Sequence, residues 1–170
     1  VTRHRVKEEL DAMSKSPITS PLSDEAKDAV GHVLQATLVD LVDLSLVAKQ
    51  AHWNVVGKNF RSVHLQLDEL VTTARTYADQ VAERAAALGV TPNGKARTVA
   101  ESSGVPEFPD GWLKEDDVVS AVVTTLAALV ARLRERIDET DKPDPVTQDL
   151  LIEITKQLEE AHWMWQAQQA

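Results

Sequence analysis

The sequence contains no cysteine among its 170 residues, which excludes a disulfide framework, a thiolate metal site and a redox-active thiol. It lacks a long apolar run: the longest, around residues 121–133, is interrupted by two threonines and is too short to cross a bilayer. The start, VTRHRVKEELDAM, is basic in places but has no apolar stretch of the kind a secretory signal needs. A cytoplasmic protein with no membrane partner is therefore expected. Internal repeats and low-complexity tracts are absent too. Cations are in the minority, and a net charge of −9 repels phosphate, so any contact with nucleic acid has to rest on a local basic segment.

Proline and glycine are few, 7 and 6, and their clustering divides the chain. Pro17 and Pro21 close an N-terminal tail, residues 1–22. At 170 residues and 43% apolar content, the remainder, residues 23–170, suffices for one domain with a sizeable core. Ser23 is positioned to cap a first helix whose opening turn carries Asp24 and Glu25. Val30, Val33, Leu34, Leu38, Leu41, Leu44 and Val47 then recur at helical spacing up to about His52. Gly57, Lys58 and Asn59 turn the chain into a second helix from about Phe60 to Leu88, stopped at Gly89. A connection of about 25 residues follows, carrying Pro92, Gly94, Gly104, Pro106, Pro109 and Gly111. Its length fits either a crossover or a linker with its own short helix. A third helix starts in the acidic stretch K-E-D-D and runs to about Thr140. A fourth starts at Pro145, capped by Asp144, and continues to the end.

Five residues with metal-ligand chemistry fall within one 32-residue stretch: His52, His64, Asp68, Asp79 and Glu83. His52 ends the first helix and the other four lie on the second. His64 and Asp68 are i,i+4 neighbours, as are Asp79 and Glu83, so each pair shares a face. The 11-residue step from Asp68 to Asp79 brings the pairs within about 20° of one direction but separates them by about 16 Å along the axis. Metal–ligand bonds are about 2 Å long, so one helix cannot close a site from all five. A second copy packed antiparallel about a two-fold axis would set His64 and Asp68 of one chain against Asp79 and Glu83 of the other, giving two equivalent sites. Two imidazoles with three carboxylates favour iron, manganese or zinc over calcium, which takes oxygen ligands, and iron is the first choice.

The run H-W-N-V-x-G-x-x-F with His64 twelve residues after His52, then L-D-E-L, then A-D-Q-V-A-E-R ahead of Leu88-Gly89, resembles the Dps family of mini-ferritins. The resemblance extends from about Ser23 to Gln168. It implies an all-α, ferritin-like four-helix bundle with the long crossover between helices two and three, assembling as a hollow dodecamer. It also implies a ferroxidase that oxidises Fe(II) with hydrogen peroxide or oxygen, stores ferric mineral and protects DNA from oxidative damage. Carried over position by position, His52, His64 and Asp68 come from one subunit and Asp79 and Glu83 from its two-fold mate, a site with room for two irons. Asp149 matches best the aspartates that line the family's three-fold pore, with Asp144 as a neighbouring candidate; Pro145 stands where some members have an acid.

Two functional readings stay open at this stage. One is the iron-oxidising store; the other is a nucleoid-structuring DNA-binding protein whose cage is mainly a scaffold. For DNA, the tail offers Arg3, Arg5, Lys7 and Lys15 against Glu8, Glu9 and Asp11, a net of +1 through residue 22 (4 − 3). A di-iron centre inside one bundle would need a Glu on each of two helices and two E-x-x-H pairs. The chain has one such pair, Glu159 and His162, which are expected at the surface or at an interface. Trp53 and Trp163 fit either quenching of an oxidising equivalent or simple packing, while Trp165, Trp112 and Tyr77 are expected to be structural.

Overall fold

The computed structural model describes residues 16–170; Arg3, Arg5, Lys7 and Lys15 lie outside the described residues. Four long helices form two hairpins. The first pairs α1 (Asp24–Asn54) with α2 (Phe60–Ala87), and the second pairs α4 (Glu115–Thr140) with α5 (Pro145–Gln166). The crossover between them carries a short helix, α3 (Ala96–Ser102), so both expectations for that connection hold together. It ends in a two-residue strand, β2 (Leu113–Lys114), parallel to β1 (Val55–Val56) in the α1–α2 corner, with Val55 opposite Leu113 and Val56 opposite Lys114. A 3₁₀ turn, Ala167–Gln169, follows α5.

The helices begin and end where side-chain chemistry directs. Ser23 is extended (φ −62°, ψ 158°) and its hydroxyl accepts from the Ala26 N–H at 3.3 Å. α2 closes with Gly89 at φ +75°: the Val90 N–H reaches the Ala85 carbonyl and the Gly89 N–H the Ala86 carbonyl, both at 2.9 Å. That pair of bonds is a Schellman termination, which needs a left-handed residue at this position. The space beside Gly89 is also taken, since a Cβ there would lie 2.9 Å from the Ile18 carbonyl oxygen.

The apolar stripe of α1 is buried as its spacing predicts, except Val47, which is half-buried. An 18-residue window of this helix has a mean hydropathy of 1.5, yet 61% of it is covered by the rest of the bundle, as befits a core helix. Trp165 and Tyr77 join the core at 1% and 8% exposure, whereas Trp112, expected to be structural, stands 75% exposed beside β2. Each fully buried leucine contributes about 1.5–3 kcal/mol.

One buried acid fixes the crossover to both hairpins. Asp40 of α1 accepts from Arg136 Nη2 at 2.7 Å, from Arg132 Nε at 3.1 Å and from the Gly104 N–H at 2.9 Å. A Cβ on Gly104 would lie 1.8 Å from Arg132 Nη1, so only glycine lets that guanidinium lie against the crossover. A lone buried carboxylate would be costly; two guanidiniums and a backbone donor compensate it.

Candidate metal centre

His52 lies in the last turn of α1 and His64 in the second turn of α2, on either side of the corner made by β1 and residues 57–59. Their rings stack at 3.6 Å between centroids and 21° between planes. Each Nδ1 bonds the other residue's backbone: His52 Nδ1 to the His64 carbonyl at 2.8 Å, His64 Nδ1 to the His52 carbonyl at 2.9 Å. A carbonyl oxygen only accepts, so both Nδ1 atoms carry the proton. In the neutral rings this leaves both Nε2 atoms with a lone pair. Fixing one ring nitrogen so that the other can ligate is the usual preparation of a metal-binding histidine.

Asp68 stands one turn beyond His64. Its Oδ1 lies 3.4 Å from His52 Nδ1 and 2.5 Å from Lys49 Nζ. The Lys49 hydrogen bond holds the Asp68 carboxyl below its ordinary range against the opposing effect of partial burial, and the charges of His52, Lys49 and His64 add to the lowering. The sequence alone does not single out Lys49. Its only signal was its place one turn before His52 on the same helix, where a long cationic side chain can reach across to α2.

The structure thus brings His52, His64 and Asp68 together and leaves Asp79 and Glu83 apart from them. Both of the latter are exposed further along the unbroken α2, where helix rise separates Asp79 from Asp68 by about 16 Å. Among the described residues, no group of three or more His, Cys, Asp or Glu side chains converges on one point as a complete metal site would. What one chain presents is an imidazole pair with a carboxylate beside it, and a separate pair of acids on the same helix.

The remaining candidates separate by burial. Asp144, the neighbouring pore candidate, is 3% exposed, and its Oδ2 accepts from Arg84 Nη2 at 2.6 Å and from the Thr147 hydroxyl at 2.5 Å, while Oδ1 caps α5 through the Val146 N–H at 3.3 Å. The side chain is consumed in joining α5 to α2. Burial alone would raise its pKa, but the bonds from Thr147 and Arg84, and the charge of Arg84, outweigh that and hold the carboxyl below its ordinary value. Asp149, one turn further, is exposed. Glu159 pairs with Arg134 at the surface at 2.5 Å, and His162 is half-buried. Trp53 and Trp163 are 62% and 64% exposed, so neither is packed inside its own chain.

Two helical hairpins joined by a long crossover, with an imidazole pair and carboxylates on one hairpin, define a ferritin-like bundle, and the ferritin-like domain family matches residues 32–170. The chain is 37% identical over 150 residues to the DNA protection during starvation protein of Mycolicibacterium smegmatis, covering 86% of this chain and 80% of that protein. It is 36% identical over 143 residues to the fine tangled pili major subunit of Haemophilus ducreyi, covering 82% and 76%. Its backbone matches DpsA14 from Streptomyces coelicolor with a TM-score of 0.86 at 34% identity, over 91% of this chain and 92% of that one. The chain belongs to the Dps family of mini-ferritins.

Proposed function

We propose that this chain is a ferroxidase and iron store: Fe(II) is its substrate, bound between His52, His64 and Asp68 of one subunit and Asp79 and Glu83 of a two-fold mate. The observation that carries the reading is the pair of reciprocal Nδ1–H···O=C bonds, which hold two stacked imidazoles by Nδ1 and leave both Nε2 atoms to ligate, with Asp68 beside His52. Two Fe(II) ions give up one electron each, and hydrogen peroxide with two protons takes both to form two waters; oxygen is the alternative oxidant. The carboxylates favour the ferric product as positive charge builds on the metal. Paired delivery avoids one-electron reduction of peroxide. Twelve chains enclose the ferric mineral, and Asp149, exposed one turn into α5, lines the passage that draws iron inward.

Removing Fe(II) and peroxide together protects DNA in the cytoplasm, in keeping with the names of the curated relatives. Direct association with DNA, and with it a place on the nucleoid, rests on Arg3, Arg5, Lys7 and Lys15. Repetition around a shell multiplies a weak arm by avidity.

Stopped-flow oxidation of Fe(II) by the metal-free assembly, with peroxide and with oxygen in parallel, tests the enzyme. Saturable oxidation above the protein-free rate is expected; a shell without it would sink the reading. Gel retardation in rising salt tests the arm. Deletion of residues 1–15 is expected to abolish retardation, and unchanged retardation rejects those four cations as the contact.

A further inference from the structure

The corner between α1 and α2 is held from outside by a residue of the other hairpin. Glu115 is the first residue of α4. Its Oε1 accepts from the Asn59 N–H at 3.2 Å, and its carboxylate lies directly over Gly57, where a Cβ would come within 1.3 Å of Oε2. Gly57 has φ +136°, a conformation that strains any L side chain, so both space and backbone demand glycine. The parallel pairing of Val55 with Leu113 and Val56 with Lys114 continues naturally to residue 57 opposite residue 115. The strand register therefore delivers this carboxylate to this turn.

α2 needs such a group. Its first turn, Phe60 to Val63, contains no acid, and among the described residues the Asn59 side chain makes no capping hydrogen bond. The unpaired N–H groups at a helix start carry partial positive charge and attract an anion. Glu115 supplies it from another helix. Its carboxyl is held below the ordinary range by its own backbone N–H and then by those of Asn59 and Lys58, against the effect of burial, so it is ionised at neutral pH.

We infer that Glu115 is a positioning residue for the imidazole pair, clamping the turn that sets α2 in register with α1. The inference rests on the reading of His52 and His64 as metal ligands. Both bonds that orient the rings cross this corner, from the last turn of α1 to the second turn of α2. A slip of α2 by one residue's rise, about 1.5 Å, exceeds the tolerance of a hydrogen bond near 2.9 Å and would release both Nδ1 atoms. Glu115 touches neither ring; it acts through the backbone between them.

The test uses the assembled, metal-free protein with Co(II) as probe, comparing wild type with Glu115→Gln, Glu115→Ala and Gly57→Ala. Visible absorption of bound Co(II) reads affinity, site number and ligand geometry, and light scattering confirms the assembly. Loss of groups that orient ligands typically weakens metal binding by about 10–100-fold. Glu115→Ala and Gly57→Ala are expected to weaken Co(II) by about tenfold and to alter its spectrum, with unchanged sites per chain. Glu115→Gln, which keeps one acceptor oxygen, should fall between them and wild type. The KM for Fe(II) should rise more than kcat falls. Wild-type affinity and spectrum in Glu115→Gln and Glu115→Ala would overturn the inference, as would fewer sites of unchanged affinity, the mark of a role in folding only. Should Glu115→Ala not assemble, Glu115→Gln decides by the same criteria. A wild-type shell that takes up no Co(II) would instead overturn the ligand reading, and this inference with it.

Discussion

Lys49 places an ammonium 2.5 Å from Asp68 Oδ1, so under the proposed function iron and lysine would compete for one carboxylate. Asp68 is 44% exposed on its side chain, and an ion pair so open to solvent is weak and screened by salt. Lys49→Met is therefore expected to lower the KM for Fe(II) by only about threefold, with kcat unchanged, in stopped-flow assays at low ionic strength. A raised KM would show that the lysine orients Asp68 instead of contending for it. The two distant acids should behave differently. Asp79→Ala or Glu83→Ala is expected to slow oxidation by more than about a hundredfold, beyond the loss usual for outer-shell partners, while light scattering shows an intact shell. Full rates in either variant would reject the site assignment. The ligand candidates were legible because their spacing on helices is rigid. Lys49 and Glu115 were not, because their roles depend on which side chains meet across elements, and an acid at a helix start already has a local explanation in the helix dipole.

Helix ends followed from local chemistry: the Ser23 cap, the Gly89 stop and the Asp144-Pro145 start all stand where their side chains direct. The β1–β2 pair and the Asp40 cluster did not, since two-residue strands carry no periodicity and Asp40 meets Arg132 and Arg136 only through the tertiary fold. Asp144 shows how one residue can carry two readings from sequence, a helix cap and a pore acid, of which its burial and bonds bear out the cap. The cap faces inward because Arg84 of α2 donates to both the Asp144 carboxylate and the Thr147 hydroxyl at the start of α5. Asp144→Ala removes an N-cap and strands the partly buried Arg84, so a loss of about 3 kcal/mol per subunit is expected, seen as a lower melting temperature of the shell. With the folded-state pKa of Asp144 lowered, its stabilisation is complete above the ordinary carboxylate range and is lost as pH falls through that lowered value. The gap in melting temperature between wild type and Asp144→Ala should accordingly be constant from neutral pH down to about 5 and narrow in stronger acid. A gap that varied across neutral pH would assign the effect to other groups. Asp149→Asn, by contrast, should leave melting unchanged and slow only the filling of the shell with iron.

For the whole molecule the question is whether a site is completed by one chain or by two, and the separation along α2 makes that a matter of counting. Consider shells assembled from equal amounts of two chains, one carrying Asp68→Ala and the other Asp79→Ala. A site shared across a two-fold axis takes His52, His64 and Asp68 from one subunit and Asp79 and Glu83 from its mate. Dimers of like chains then have no intact site. A mixed dimer has one intact site, from the unaltered ligands of both chains, and one site that lacks both carboxylates. With random pairing, half of the dimers are mixed, so about a quarter of wild-type oxidation should return in shells where each parent alone is nearly inactive. Closure within one chain predicts no recovery, because every chain lacks one of its own ligands. Co-expression of the two variants with distinct affinity tags, isolation of doubly tagged shells and stopped-flow assay of the Fe(II) oxidation amplitude per subunit would separate these outcomes. The doubly tagged shells should also bind a larger fraction of their Co(II) at wild-type affinity than either parent does, a second count of completed sites that does not depend on turnover.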